Sequence, residues 1–270
     1  ILETEVILQD PEREEKADAE KKGVVEFRHV SFTYPGAADP VLRDIDFTAR
    51  PGETTAIIGS TGCGKSTLVN LIPRFYDVTE GEILVDGVDV RKMKQHTLHE
   101  KLGYVPQKGV LFSGTIASNI AYSKDAMGEN DIHKAAEIAQ ASDFIEEKEE
   151  QYDSPIAQGG TNVSGGQKQR LSIARAIAGK PEIYIFDDSF SALDYKTDAA
   201  LRKALKEETA QATTIIVAQR ISTILHAEQI IVLDEGRIAG IGTHKELLKS
   251  CEVYHQIAAS QLSKEELDNE

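Results

Sequence analysis

The nine residues Gly59-Ser60-Thr61-Gly62-Cys63-Gly64-Lys65-Ser66-Thr67 constrain this chain more than any other stretch. They fit G-x-x-x-x-G-K-[ST], the phosphate-binding P-loop pattern. An apolar run, Ala56-Ile57-Ile58, precedes them as a buried strand, and Ser66 to Ile72 follows as a helix. That strand–loop–helix context separates a P-loop from a glycine-rich turn. Glycines let the backbone close around phosphates with its N–H groups inward, and the helix N-terminus adds partial positive charge. Lys65 is suited to the β- and γ-phosphates, and the Ser66 hydroxyl to Mg²⁺. The expected ligands are therefore a nucleotide and Mg²⁺.

Around the loop the chain alternates strands and helices, which predicts an α/β core. Half-buried strands are expected at Val24–Val30 and Ile45–Thr48, and a strand at Glu82–Val85 running into an Asp86-Gly87 hairpin turn. Leu102–Val105 reads as a short strand, 129–150 as helix and 151–163 as loop. Ser164 and Gln167 have capping-box spacing ahead of a helix, as do Thr243 and Glu246. Ile183–Phe186 and Thr214–Ala218 read as buried strands, Ala199–Thr209 as helix, and Gln229–Asp234 with Arg237–Gly240 as a hairpin. The hairpin-linked early strands predict an antiparallel β part beside a mainly parallel sheet.

Charge narrows the function. The 270 residues carry a net charge of −15, which argues against a nucleic-acid partner. Residues 1–23 hold eight acids and four bases, and 261–270 four acids and one base. Both ends read as solvated surface or linker. No run approaches the roughly 18 apolar residues of a membrane-spanning helix. The start at Ile1 without an initiator Met suggests a fragment or a processed chain. Two cysteines, Cys63 and Cys251, make no disulfide framework. Cys63 reads as a small loop residue.

Two further constellations carry chemistry. Asp187 ends an apolar strand, where it could hold Mg²⁺ opposite Ser66; with Asp188 it could instead cap a helix. The Ser164-Gly165-Gly166-Gln167 helix start offers N–H groups, a hydroxyl and a dipole. Alone, it reads as an ordinary capped helix. As a second anion site, it invites a dimer in which one subunit closes over the other's nucleotide.

With these motifs in this order, residues 24–260 resemble the nucleotide-binding domain of ABC transporters, specifically of exporters. The resemblance makes Tyr34 the aromatic that stacks on adenine and Gly59–Thr67 the Walker A loop. It makes Gln107 the Q-loop glutamine and a metal-site member with Ser66 and Asp187. Val163-Ser164-Gly165-Gly166-Gln167 matches the signature, with Val163 where Leu is usual. Asp187 ends Walker B, and Asp194 lies in the D-loop, reporting across the dimer or capping a helix. The resemblance implies a P-loop NTPase core, an antiparallel β subdomain and an α-helical subdomain at about 110–180. It also implies a linker over 1–22 from a transmembrane domain, a domain over 23–260, and an acidic tail over 261–270. The chain would then work at the cytoplasmic face of the cell membrane.

Two departures bear on catalysis. The family usually has Glu after the Walker B Asp as general base; here it is Asp188, one methylene short. A misplacement of ~1 Å costs about 10²-fold, and loss of a general base roughly 10²–10⁴-fold. The family's γ-phosphate-contacting His is Gln219, and an amide carries no imidazolium charge. His226, seven residues on, is no simple substitute. Gln158 stands where exporters often have Glu, before the signature.

Asp188 and Gln219 together resemble one subunit of a heterodimeric exporter. Such an ATP hydrolase would bind Mg-ATP at its own impaired site, with Lys65, Asp188 and Gln219 as catalytic groups. It would lend its signature to a partner that has the intact Glu and His. The alternative is a homodimeric exporter with slow hydrolysis at both sites. A soluble ABC ATPase of DNA repair or translation fits the acidic charge less well. A non-enzymatic sensor leaves the intact signature without a purpose.

Overall fold

The computed structural model describes residues 8–123 and 127–262. In chain order its strands and helices are β1 (Val25–Phe32), β2 (Leu42–Ala49), β3 (Thr54–Gly59), α1 (Lys65–Leu71), β4 (Glu80–Val85), β5 (Val88–Asp89), α2 (Gln95–Glu100) and β6 (Leu102–Val105). Next come β7 (Gly114–Thr115), α3 (Ile116–Ile120), α4 (Glu129–Ile138), α5 (Ser142–Glu146), β8 (Pro155–Ile156), α6 (Gly165–Ala178) and β9 (Ile183–Asp187). The chain closes with α7 (Tyr195–Glu208), β10 (Thr213–Val217), α8 (Ile221–Ile224), β11 (Gln229–Asp234), β12 (Arg237–Gly242), α9 (His244–Ser250) and α10 (Glu252–Gln261).

The larger sheet has the order β12-β11-β3-β10-β9-β6. Its strands run parallel except for β12, which pairs antiparallel with β11 at the edge. An antiparallel sheet of order β2-β1-β4-β5 packs beside it, and β7 pairs with β8 in a two-stranded ribbon. The architecture is α/β, with the parallel sheet, the antiparallel sheet and the helical part expected of an ABC ATPase.

The near-continuous apolar runs follow from a parallel sheet covered on both faces. Side chains alternate across a strand. In β3, Ala56 and Ile58 join the core on the helical side, and Ile57 the core beneath the antiparallel sheet. In β9, Tyr184 and Phe186 take the first side and Ile183 and Ile185 the second. α3 to α6 build the first core outward, and α1 lies in the second.

Several boundaries differ from the sequence expectation. The helix expected over 129–150 breaks into α4 and α5, with Gln140 left-handed at φ 57° and its amide bonded back to Glu137 O at 3.1 Å. The loop expected over 151–163 contains β8, held because Asn162 donates to Pro155 O and accepts from Ala157 N–H. Helix α7 starts at Tyr195 rather than Ala199, because Asp194 accepts the Thr197 N–H at 3.0 Å. The C-terminal helix divides at Cys251, which is extended.

Residues 8–22 run along the domain: Glu15 N–H donates to Lys92 O, Asp18 N–H to Asp86 O, and Lys94 N–H to Glu14. Of the tail expected over 261–270, Gln261 and Leu262 lie within the described residues, and Gln261 is the last residue of α10. Among the described residues no helix is long and apolar enough to cross a membrane.

Candidate functional site

Four strands of the parallel sheet, β3, β6, β9 and β10, end at one edge, where ligands bind in open α/β sheets. Each delivers a residue from the sequence analysis. β3 runs into the P-loop. Its first glycine, Gly59, has no space for a side chain, since a Cβ there would lie 2.0 Å from Leu233 O and 2.8 Å from Cys63 Sγ. Gly62 and Gly64 take left-handed φ of 83° and 104°, and Gly64 opens α1 without a side-chain cap. The Lys65 ammonium donates to Gly59 O at 2.8 Å and Ser60 O at 2.7 Å, so the lysine lies back over its own loop. Ser60, Thr61 and Gly62 are exposed, and Cys63 is buried.

Ser66 Oγ donates to Asp187 Oδ1 at 3.0 Å, joining residues 121 positions apart. Burial raises the Asp187 carboxyl pKa; the Ser66 hydrogen bond opposes this, the Asp188 charge adds to it, and Lys65 opposes it. The pair offers two oxygen ligands, the donor type Mg²⁺ requires.

Asp188, buried at the end of β9, is left-handed at φ 46°. Its Oδ2 accepts two amides: Gln219 Nε2 at 2.6 Å and Gln107 Nε2 at 3.2 Å. The structure thus gathers the candidate base, switch and Q-loop residues on one oxygen. Gln107 meets Asp188, while Ser66 meets Asp187.

Tyr34 follows β1. Its hydroxyl hydrogen bonds Thr67 Oγ1 at 2.9 Å, and its ring packs edge-on against Phe32 and Tyr76. Tyr76, 38% exposed, is a site neighbour the sequence reading missed.

The signature-like segment lies at the start of α6. Ser164 Oγ accepts the Gln167 N–H and Gln167 Oε1 accepts the Ser164 N–H, a reciprocal capping box. Val163 packs against the helical core. Ser164 and Gly165 are exposed, and a Cβ on Gly165 would meet nothing within 4 Å. A Cβ on Gly166 would only touch Ala192 O at 3.5 Å. Among the described residues no contact requires glycine at 165.

Two polar residues of α6 were not singled out in the sequence. Gln169, 2% exposed, accepts the Gly109 N–H at 2.9 Å and donates to Pro106 O at 3.2 Å, bracketing Gln107. Arg175 donates to Val110 O at 2.8 Å and to Asn119 O and Oδ1, and lies over the stacked Phe112 and Tyr122 rings. Both tie the signature helix to the segment after β6.

Asp194 caps α7, and the bond from Thr197 lowers its carboxyl pKa. Gln158 is exposed and His226 follows α8, also exposed. In the fold His29 meets Asp44 at 2.9 Å and Asp46 at 3.1 Å. All three are exposed, and the hydrogen bond to Asp44 raises the His29 pKa.

A family model described as "ABC transporter" matches residues 42–191. An uncharacterised ABC transporter ATP-binding protein of Mycobacterium tuberculosis is 49% identical over 264 residues, covering 97% of this chain and 45% of its own length. The uncharacterised ABC transporter ATP-binding protein YfiB of Bacillus subtilis is 45% identical over 266 residues, covering 98% of this chain and 45% of its own. Among solved structures, a bacterial Atm1-family ABC exporter with ATP bound superposes with a TM-score of 0.92 at 37% identity, over 97% of this chain and 46% of that one. The chain therefore spans about half the length of the relatives it matches.

Proposed function

The chain belongs to the ABC transporter family, and we propose that it is the ATP-binding half of an exporter subunit whose own catalytic site is impaired. One observation carries this reading: the Asp188 carboxylate, one methylene short of the family's glutamate, has one oxygen engaged by the amides of both Gln219 and Gln107.

The P-loop N–H groups and Lys65 would hold the ATP phosphates, Tyr34 the adenine, and Ser66, Asp187 and Gln107 the Mg²⁺. The ion supplies Lewis-acid neutralisation of phosphate charge. Ser66 and Asp187 already stand at hydrogen-bond distance, and Gln107 keeps its carbonyl oxygen while its N–H₂ group engages Asp188. With Oδ2 so engaged, Asp188 would have to orient a water through Oδ1, one methylene short of the glutamate's reach. Gln219 adds no positive charge at the terminal phosphate. Binding without fast turnover is the expected behaviour.

The front of the signature helix supports the other half of the reading. Ser164 and Gly165 are exposed, and a Cβ on Gly165 would meet nothing within 4 Å. A second nucleotide-binding domain, bearing Glu and His at the equivalents of 188 and 219, would take this signature over its own ATP. The transmembrane domain would belong to the same original chain, at the cytoplasmic face of the cell membrane. Residues 1–22 would link to it.

The test is ATP turnover by the purified chain beside Asp188→Glu/Gln219→His, with Mg-ATP binding measured in parallel. Tight binding, negligible turnover and a gain of about 10²-fold or more in the double variant are expected. Fast turnover by the unmutated chain would overturn the impaired-site reading and make the homodimer the working description.

A further inference from the structure

We infer that Gln261, the last residue of the C-terminal helix, is a positioning residue for the switch residue Gln219. On α10, Tyr254 and Ala258 are fully buried, and three residues further on the same face falls Gln261. Gln261 itself is exposed, so its amide could have been left to water. It has two partners instead. Its Oε1 accepts the Ile221 N–H at 2.8 Å, and its Nε2 donates to Gln219 O at 2.8 Å.

These two backbone groups flank the start of α8, only four residues long, whose N-cap residue Arg220 makes no side-chain cap bond. The first N–H groups of a helix have no partner within it. Here a side chain 40 positions along the chain supplies one. The same amide grips the carbonyl of the residue whose side chain reaches Asp188 Oδ2 at 2.6 Å. Gln261, Gln219 and Asp188 therefore form one connected line from the C-terminal helix to the sheet edge. At its other end α10 is tied down by Tyr254, whose hydroxyl meets buried His244 Nδ1 at 2.7 Å.

An amide is the fitting group, because one donor and one acceptor face it. Glutamate would set an oxygen against Gln219 O, and leucine would satisfy neither. The functional consequence rests on the reading of Gln219 as the residue beside the terminal phosphate; the placement of the 219–221 backbone does not.

The test compares Gln261→Leu and Gln261→Glu with Ser260→Ala, an exposed neighbour whose hydroxyl bonds only within α10. Amide exchange at Ile221, and kcat and KM for ATP, are measured in the unmutated chain and in the Asp188→Glu/Gln219→His background. In Gln261→Leu, exchange at Ile221 should rise about tenfold while α1 is unchanged, and kcat should fall about tenfold with KM within about twofold. Gln261→Glu should fall between, and Ser260→Ala should match its background. Unchanged exchange at Ile221, faster exchange in every helix alike, or an unaltered kcat would overturn the inference. Should the double variant gain no turnover, the impaired-site reading falls. The exchange at Ile221 in the unmutated chain, read without turnover, still decides the role of Gln261.

Discussion

Replacing Gln169 with leucine tests whether the signature helix and the Q-loop are one mechanical unit. Gln169 is 2% exposed and its two bonds, 2.9 Å to Gly109 N and 3.2 Å to Pro106 O, bracket Gln107. Gly109 is pressed so close to α6 that a Cβ would lie 2.7 Å from Ser172 Oγ and 2.9 Å from Lys168 O, so the loop cannot slide inward to compensate. Leucine strands an N–H and a carbonyl. Each costs about 1–3 kcal/mol when fully buried. Both residues are half-buried, so water repays part of that. The pair then costs about 3 kcal/mol, and leucine's better apolar transfer returns about 1 kcal/mol. The net loss is about 2 kcal/mol, or a Tm lower by about 4–8 °C for a domain of this size. Gln169→Glu keeps the acceptor for Gly109 but opposes an oxygen to Pro106 O, so it should also destabilise. Thermal unfolding of the purified variants measures this, with ATP turnover in the Asp188→Glu/Gln219→His background as second readout. A Tm within about 1 °C of the parent for Gln169→Leu would refute the reasoning.

Gly59→Ala should abolish Mg-ATP binding and lower Tm, because a Cβ 2.0 Å from Leu233 O must push the P-loop off β11; calorimetric titration with ATP checks it. Gly165→Ala should leave Tm within about 1 °C, since its Cβ meets nothing; on the heterodimer proposal it should also lower the turnover of a competent partner domain mixed with this chain. Arg175→Leu strips donors from Val110 O, Asn119 O and Asn119 Oδ1, and should destabilise by roughly 2–4 kcal/mol in urea titration. Burial pushes the Tyr184 phenol up to about 12 from 10.0. The unfolded chain loses that proton near pH 10 and the folded one only near 12. Stability contributed below pH 10 is therefore lost as pH rises through 12, by about 3 kcal/mol. Tyr184→Phe should flatten that part of the stability–pH curve and leave neutral pH nearly unchanged.

What could be read in the sequence was local or strongly periodic. The P-loop is contiguous, the capping boxes at Ser164 and Thr243 span three residues, and each closes in the fold as its spacing requires. Buried strands announce themselves as apolar runs, and Asp187 was legible because an acid after such a run stands at the sheet edge. Gln169 and Gln261 were not legible. Their partners are backbone groups more than 39 residues away, which no periodicity encodes. The break at Gln140 was hidden because an alanine-rich stretch without Gly or Pro carries no stop signal. Ala139 and Ala141 are both fully buried, so the turn is set by core packing against local preference.

Around Asp188 the backbone is fixed on every side. Its N–H donates to Val217 O, and its carbonyl accepts the Ser191 hydroxyl at 2.9 Å and the Ser191 N–H at 3.5 Å. The Ser189 hydroxyl fastens the next residue to Val105 O. The left-handed φ of 46° suits Asp better than Glu, because the short carboxylate is among the side chains that tolerate that region. Asp188→Glu then changes side-chain length and, to a small extent, backbone preference. Asp188→Glu alone should cost under about 1 kcal/mol of stability for the backbone conformation. It should also carry the carboxylate past Gln219 and Gln107, freeing both amides. On the impaired-site proposal, if the reach of the base is limiting, this single change recovers most of the turnover, and Gln219→His adds to it. If the missing imidazolium charge is limiting, Asp188→Glu recovers little and Gln219→His is required. Measured singly and together, the two changes form a cycle, and its coupling energy reports whether base and switch act as a pair.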